Sequence, residues 1–200
     1  MITPSHLVYS WALARVSVGG GGGRRVPGRV PAFVLGGVLP DLPVYVLFFV
    51  EAILLGTSQA IIWNERYFAS AWTPWIEASH SFVLWGGVAL FGYVLGRKLL
   101  AYFGLAGVLH AVIDFCVHVE DAYPHFWPLS DWRFESPVSY WDPAHFGNVV
   151  GTVDIMIVLG LLYFLYKAST RRSSRSVVIV LALFYIVIST TSLVRVIFAL

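Results

Sequence analysis

The sequence predicts an all-α fold, a polytopic membrane helix bundle of about five to six membrane helices in one integral membrane domain, residues 1–200. Three observations carry this. Hydrophobic residues make up 58% of the chain and charged residues only 12%, with a mean hydropathy of +0.76, whereas soluble domains carry about 25% charged residues. The apolar residues fall into runs separated by short charged connections. Polar residues inside those runs are few and are mostly His and Asp, a selection that an inert apolar bundle has no reason to make. A formal net charge of +2 is too small to point to nucleic acid, and the single Cys116 excludes an intramolecular disulfide and a multi-thiolate metal cluster.

Met1 to Val18 is the first apolar run, with Thr3-Pro4-Ser5 positioned to cap and open a helix that carries His6. It is short for a full span, and Arg15 interrupts it, which argues against a cleaved secretory signal. Gly19 to Gly23 with Arg24, Arg25, Pro27 and Arg29 reads as a flexible basic loop. Pro31 to Gly56 is long enough to cross ~30 Å of hydrocarbon, but Pro40-Asp41-Leu42-Pro43 predicts a helix broken at Pro40–Pro43 around a carboxylate. Thr57 to Ser79 reads as a mixed loop whose Trp63, Trp72 and Trp75 suit the membrane interface. His80 to about Leu95 forms the next span, where Gly86, Gly87, Gly92 and Gly96 permit close helix approach. Leu100 to Val119 carries His110 and Asp114, and the aromatic, acidic segment 119–147 follows as a functional loop. Asn148 to Tyr166, with Asp154 inside, and Ser176 to Leu200, with Arg195 near its end, are the last two spans.

Connections alternate between basic (Arg15 to Arg29, Arg97-Lys98, Lys167 to Arg175) and acidic (Thr57 to Ser79, Glu120 to Gly147). The positive-inside rule then puts the acidic connections and both termini outside. With ~1.5 Å of rise per residue, His6, His80, Asp114 and Asp41 fall between midplane and outer surface, Asp41 deepest. There the break at Pro40–Pro43 brings irregular backbone to a cavity rather than to lipid.

The segment His110 to His125 concentrates the chemistry. His110, Asp114, His118, Asp121 and His125 follow in steps of four, four, three and four, so on a continuous helix the first four share a face within about 80°. Pro124 ends that helix. Imidazoles and carboxylates at this spacing can reach one metal ion; a pore-lining or hydrogen-bonded polar stripe is the alternative. A charge at the bilayer centre costs ~3 kcal/mol and persists only with a partner. Candidate metal ligands are therefore His6, Asp41, His80, His110, Asp114, His118, Asp121 and His125, with Asp114, His118 and Asp121 also candidates for the chemical step. Nitrogen and oxygen donors suit zinc first, with manganese or iron as alternatives. Glu51 and Asp154 are as readily structural as cavity-lining. Ser81 either orients a ligand or bonds back to a helical carbonyl, Cys116 reads as a small core residue, and His145 reads as a loop residue.

Taken in order, TPSH at His6, GGVLPDLP at Asp41, EASHS at His80 and LHAVID at His110 and Asp114 resemble the bacterial family of membrane-bound, metal-dependent hydrolases, LexA-regulated inner-membrane proteins among them. That family in turn is distantly similar to the zinc-dependent phospholipase C group. The resemblance covers roughly Thr3 to Pro128. This chain departs from the pattern at Pro43, where a second acidic residue often follows Pro-Asp, and at Trp75-Ile76-Glu77, where a His-Arg pair tends to precede His-Ser. The extension His118, Glu120, Asp121, His125 and Phe126-Trp127-Pro128 looks like an uncharacterised branch, able to use a second metal.

The resemblance implies a multi-pass protein of the bacterial inner membrane that hydrolyses an ester or phosphoester of a lipid-like substrate. The chemistry agrees, because bound zinc lowers the pKa of its water to ~7. A lid containing Trp127, Trp132, Phe134, Tyr140 and Trp141 favours an amphiphile, although such aromatics also form interfacial belts. Two other readings stand beside it. One is a metal-ion or proton transporter, which needs polar residues continuing to the inner side. The other is a membrane scaffold binding a partner through segment 119–147.

Overall fold

The computed structural model describes residues 1–17 and 26–198, with side chains to residue 190. The glycine run with Arg24 and Arg25, and the Arg195 side chain, lie outside the described residues. The chain is all-helical, 71% helix, and no strand occurs among the described residues. In order come α1 (Thr3–Val16), α2 (Arg29–Val38), a 3-10 turn (Leu39–Asp41), α3 (Leu42–Phe48) with a wider turn (Phe49–Leu54), α4 (Gln59–Ile61) with a wider turn (Ile62–Arg66), α5 (Thr73–Ser79), α6 (Phe82–Val94), α7 (Lys98–Phe115), a 3-10 turn (Pro143–His145), α8 (Gly147–Ala168) and α9 (Arg172–Phe198). Among the described residues, four helical stretches are long and apolar enough to cross a membrane: Arg29–Leu54, Lys98–Phe115, Gly147–Ala168 and Arg172–Thr190. The helix Phe82–Val94 is apolar but shorter.

The helix α7 is flanked by α6 and α2, α1 packs on α2 and α8, and α8 packs on α9. Close packing around α7 depends on missing side chains. A Cβ at Gly36 of α2 would collide with the Phe103 carbonyl of α7, and one at Gly107 of α7 would collide with the Trp85 indole of α6. These contacts bring three ligand-bearing segments within side-chain reach. Elsewhere Val8, Trp11, Val158, Leu162, Leu165, Val178 and Tyr185 form an apolar cluster joining α1, α8 and α9.

The break in Arg29–Leu54 is a 3-10 turn at Leu39–Asp41, with prolines at positions 40 and 43. A proline offers no backbone N–H and crowds the preceding turn, so the α-helical ladder is interrupted just where the carboxylate sits. Several finer expectations are corrected. The helix bearing His110 ends at Phe115, nine residues short of Pro124, so His110, Asp114, His118 and Asp121 do not share one helix face. Its end is stabilised from a distance: Ser136 Oγ donates to the Cys116 carbonyl at 2.6 Å, Tyr140 N to that of Val117 at 3.0 Å, and Ser136 N to that of His118 at 2.9 Å. Terminal carbonyls satisfied in this way no longer favour another helical turn. Cys116, at the helix end, is exposed rather than core.

The stretch from Thr57 to Ser79 holds two helical pieces rather than loop alone. Of the four glycines expected to bring a helix close, Gly92 meets the backbone of Ala101, Gly86 and Gly87 face open space, and Gly96 has φ +65 at the end of α6. The segment after α7 is a folded cap. Phe134 stacks on Phe115 with centroids 4.6 Å apart, and Arg133 donates to the Ala122 carbonyl (2.8 Å) and to Glu77 Oε1 (2.6 Å).

Candidate metal centre

Each polar side chain reaches the centre through a local irregularity. Asp41 comes from the 3-10 turn. His80 follows the last residue of α5, and Ser81 caps α6 by accepting from Leu84 N at 3.2 Å while its hydroxyl donates to the Trp127 carbonyl. Ser81 is thus a helix cap, neither a ligand-orienting group nor one bonding back along its own helix. His110 and Asp114 lie one turn apart on α7, where i, i+4 spacing aligns them.

The four side chains offer ligand atoms that all lie within 4.8 Å of one another, and all four are buried. Asp114 Oδ2 is 3.0 Å from His110 Nε2 and 3.5 Å from His80 Nε2. Asp41 Oδ1 is 3.5 Å from His80 Nε2 and 3.6 Å from His110 Nε2. The opposite ring nitrogens are held by backbone: His80 Nδ1 donates to the Ile76 carbonyl at 2.7 Å and His110 Nδ1 to the Gly37 carbonyl at 2.8 Å. A neutral imidazole has one N–H. With that proton committed at Nδ1, each Nε2 presents a lone pair to carboxylate oxygens, and both Nε2 atoms are buried without a hydrogen bond. Two imidazole nitrogens and two carboxylates converging in this way could hold a metal ion. Nδ1–H anchored to a carbonyl, with Nε2 free, is also how metal-binding histidines are oriented.

The second oxygen of Asp114 faces another set. His6 Nε2 is 3.1 Å from Oδ1 and His118 Nε2 3.5 Å, and the Met1 amino group lies 2.5 Å from the same oxygen and 3.1 Å from His118 Nε2. His118 Nδ1 is 2.9 Å from Asp121 Oδ2. That contact holds Asp121 below the usual carboxylate range against burial, which pushes it up. His6 stacks on His110 at 3.6 Å. His125 is directed elsewhere: its Nδ1 donates to the His80 carbonyl at 2.8 Å and its ring stacks on Phe82. Burial pushes this imidazole down to about 4 and keeps it neutral. Of the eight candidate residues, then, four converge, His6 and His118 border them through Asp114, Asp121 stands behind His118, and His125 braces the His80 backbone.

Two further buried carboxylates lie apart from this group. Asp154 accepts from Ser5 Oγ and Tyr9 OH, both at 2.6 Å. Glu51 accepts from Thr57 Oγ1 at 2.9 Å, with Arg66 Nε at 3.5 Å.

Sequence reasoning missed Tyr123, whose buried ring stacks on His80 at 3.9 Å and whose hydroxyl meets that of Tyr67 at 2.7 Å. It also gave Thr3 the wrong role. The residue at the start of α1 with non-helical backbone is Ile2, and the Thr3 hydroxyl donates to Asp41 Oδ2 at 2.5 Å. Position 3 in a polar TPSH start was the only signal for the latter. Comparison with protein-family models, curated proteins and solved structures returned no match to this chain.

Proposed function

We propose that this protein is a membrane-embedded, metal-dependent hydrolase acting on an ester or phosphoester of a lipid-like substrate. The observation that supports it most is the pair of buried, unpartnered Nε2 atoms of His80 and His110 converging with Asp41 and Asp114. Two imidazoles and two carboxylates suit a borderline-soft divalent ion, zinc first and manganese or iron next. Such an ion, when bound, supplies Lewis acidity to a carbonyl or phosphoryl oxygen and activates water. The chain's residues do the rest. Asp41 and Asp114 would neutralise the ion, while the Gly37 and Ile76 carbonyls orient the imidazoles and the Thr3 hydroxyl fixes the Asp41 carboxylate. Asp114 Oδ1, with His6 and His118 around it, is engaged by the Met1 amino group, and Asp121 is the positioning residue of His118.

In this reading five to six helices, α1 and α6 among them, cross the bacterial inner membrane, with segment 119–147 outside. The ordered residues resemble the membrane-bound hydrolase family named above. The test is metal analysis of detergent-purified protein, followed by a hydrolysis screen against phospholipids, polyprenyl phosphates and chromogenic phosphodiesters with added zinc or manganese and His110→Ala as the blank. Turnover that is lost in His110→Ala supports the reading. Absence of turnover together with His110-dependent metal or proton flux in liposomes overturns it in favour of a transporter.

A further inference from the structure

Among the described residues, nine buried side-chain polar atoms lack a well-aligned hydrogen bond, and they fall into two sets. Five belong to His6, His80, His110, His118 and Asp121, in and beside the metal centre. The other four are Trp11 Nε1, Arg15 Nε, Arg29 Nε and Ser169 Oγ. Three of these are N–H donors and the fourth is a hydroxyl, so this set offers protons with no carboxylate to receive them. Packing gathers it at one end of the bundle. Ala14 of α1 and Phe33 of α2 share an apolar cluster against which Val30 packs, and Val30 also packs on the cluster containing Trp11, Leu165 and Val178. Arg15 follows Ala14, Arg29 precedes Val30, and Ser169 stands four residues beyond Leu165. The four groups therefore lie where α1 and α8 end and α2 begins.

This end has no acid of its own. No Asp or Glu precedes Asp41 or follows Asp154 in the chain, and the arginines paired with carboxylates among the described residues are Arg66 and Arg133, on Glu51 and Glu77. Helix dipoles account for one cation only. Arg15 lies in the last turn of α1, where partial negative charge favours it, but Arg29 lies in the first turn of α2, where a cation is disfavoured. Snorkelling carries a guanidinium out to water, whereas both Nε atoms are shut away from it. Ser169 is 0% exposed and Trp11 6%. A hydroxyl or indole N–H so buried costs stability unless something accepts from it. Arg175 does not: its Nε donates to the Ser169 carbonyl at 2.9 Å and leaves the Ser169 hydroxyl free.

We propose that Arg15, Arg29, Ser169 and Trp11 bind the head group of an anionic phospholipid in the leaflet on this side of the membrane. Two guanidinium forks and a hydroxyl match the oxygens of a phosphodiester, and basic pockets between membrane helices take anionic head groups. Trp11 favours a lipid over free phosphate. It precedes Arg15 by four residues on the same face of α1, one turn further into the bundle, and a phospholipid carries ester carbonyls at that depth below its phosphate. The proposal is independent of the hydrolase reading, because no residue of this site belongs to the metal centre.

The test is native mass spectrometry of detergent-purified protein titrated with phosphatidylglycerol, phosphatidylcholine or inorganic phosphate. Wild type should retain phosphatidylglycerol over phosphatidylcholine, and excess inorganic phosphate should not displace it. The double variant Arg15→Lys with Arg29→Lys keeps the charge, and with it the membrane orientation, but loses the planar forks; affinity for phosphatidylglycerol should fall about tenfold. Arg171→Gln with Arg172→Gln removes two exposed charges at the same end and should change it less. Ser169→Ala, which deletes only the buried hydroxyl, should weaken binding in the same direction as the lysine pair. An unchanged lysine pair beside a weakened glutamine pair would mean diffuse attraction to a basic rim and overturn the proposal. Equal retention of the two lipids overturns it too, as does displacement by inorganic phosphate, which would make the ligand free phosphate. Should the lysine pair fail to fold, unchanged affinity in Ser169→Ala is enough to overturn it.

Discussion

Two buried carboxylates in this bundle have opposite surroundings. Asp154 on α8 is 7% exposed and sits among donors: Ser5 and Tyr9 hydroxyls reach its two oxygens, and Tyr185 OH in turn meets Ser5 Oγ at 2.7 Å. Asp114 on α7 is 1% exposed and faces imidazole nitrogens, two of whose partner rings have committed their N–H to backbone carbonyls. Both carboxylates are buried. Their partners distinguish them: Asp154 is held by hydroxyls, a structural tie, whereas Asp114 takes the Met1 amino group at Oδ1 and turns Oδ2 toward the His80 and His110 ring nitrogens, in a group that could hold a metal ion. Ser5 and His6, adjacent on α1, serve one of these sites each.

The largest expected effect lies on the Asp114 side. Asp114→Ala or His110→Ala should abolish stoichiometric transition-metal binding, measured by elemental analysis of purified protein, because each removes a ligand from a set of four. Equal metal content in wild type and in both variants would remove the distinction between the two carboxylates altogether. The spans should still insert, since α7 is held by the Gly36 and Gly107 contacts rather than by an ion.

Next in size is Thr3→Val, which keeps the shape of the side chain and deletes the donor to Asp41 Oδ2. Groups that orient ligands are worth about 10–100-fold in metal affinity, so a chelator competition titration should show weakening of at least ~10-fold. Unchanged affinity would mean that the surrounding 3-10 turn alone positions Asp41.

The juxtaposition of His110 with Asp114 was legible in the sequence because one helix turn decides it, and the Pro40–Pro43 break because proline chemistry is local. Asp41 and His80 could be brought together only by comparing positions along separate apolar runs, a comparison that rests on reading those runs as nearly parallel helices. The end of α7 was not legible. Nothing between Cys116 and Asp121 forbids helix, and the groups that terminate it, Ser136 and Tyr140, return from a distant segment. The same holds for Tyr123 on His80 and for Gly86 and Gly87, whose neighbours only the packing of α6 reveals. His125 followed the right spacing, but with the helix already ended its ring points to the His80 carbonyl.

On the Asp154 side the expected effect is smaller and of another kind. Asp154→Asn retains one acceptor oxygen and replaces the other with a donor, so the Ser5 and Tyr9 hydroxyls cannot both be accepted as before. A hydrogen bond to a charged group is worth about 1.5–3 kcal/mol, and thermal denaturation in detergent should show a loss of that order with metal content intact. Metal loss in Asp154→Asn would join the two carboxylates into one functional network.

The smallest effects separate two histidines outside the converging four. His145 lies on the short Pro143–His145 turn, where Nδ1 meets Asp142 Oδ2 at 2.6 Å and the side chain is 38% exposed. Exposed pairs of this kind contribute little, and His145→Ala should leave metal content, turnover and thermal stability unchanged. His125 is buried, donates to the His80 carbonyl and stacks on Phe82. His125→Phe keeps the stacking ring but leaves that carbonyl without its donor, a cost of about 1–3 kcal/mol. Stability should therefore fall while metal stoichiometry persists, because the bond braces the backbone of His80 and not its Nε2. If His125→Phe instead strips the metal as completely as His110→Ala, His125 belongs with the ion-holding residues, and reading a carboxylate by its partners is too coarse a way to tell a tie from a site.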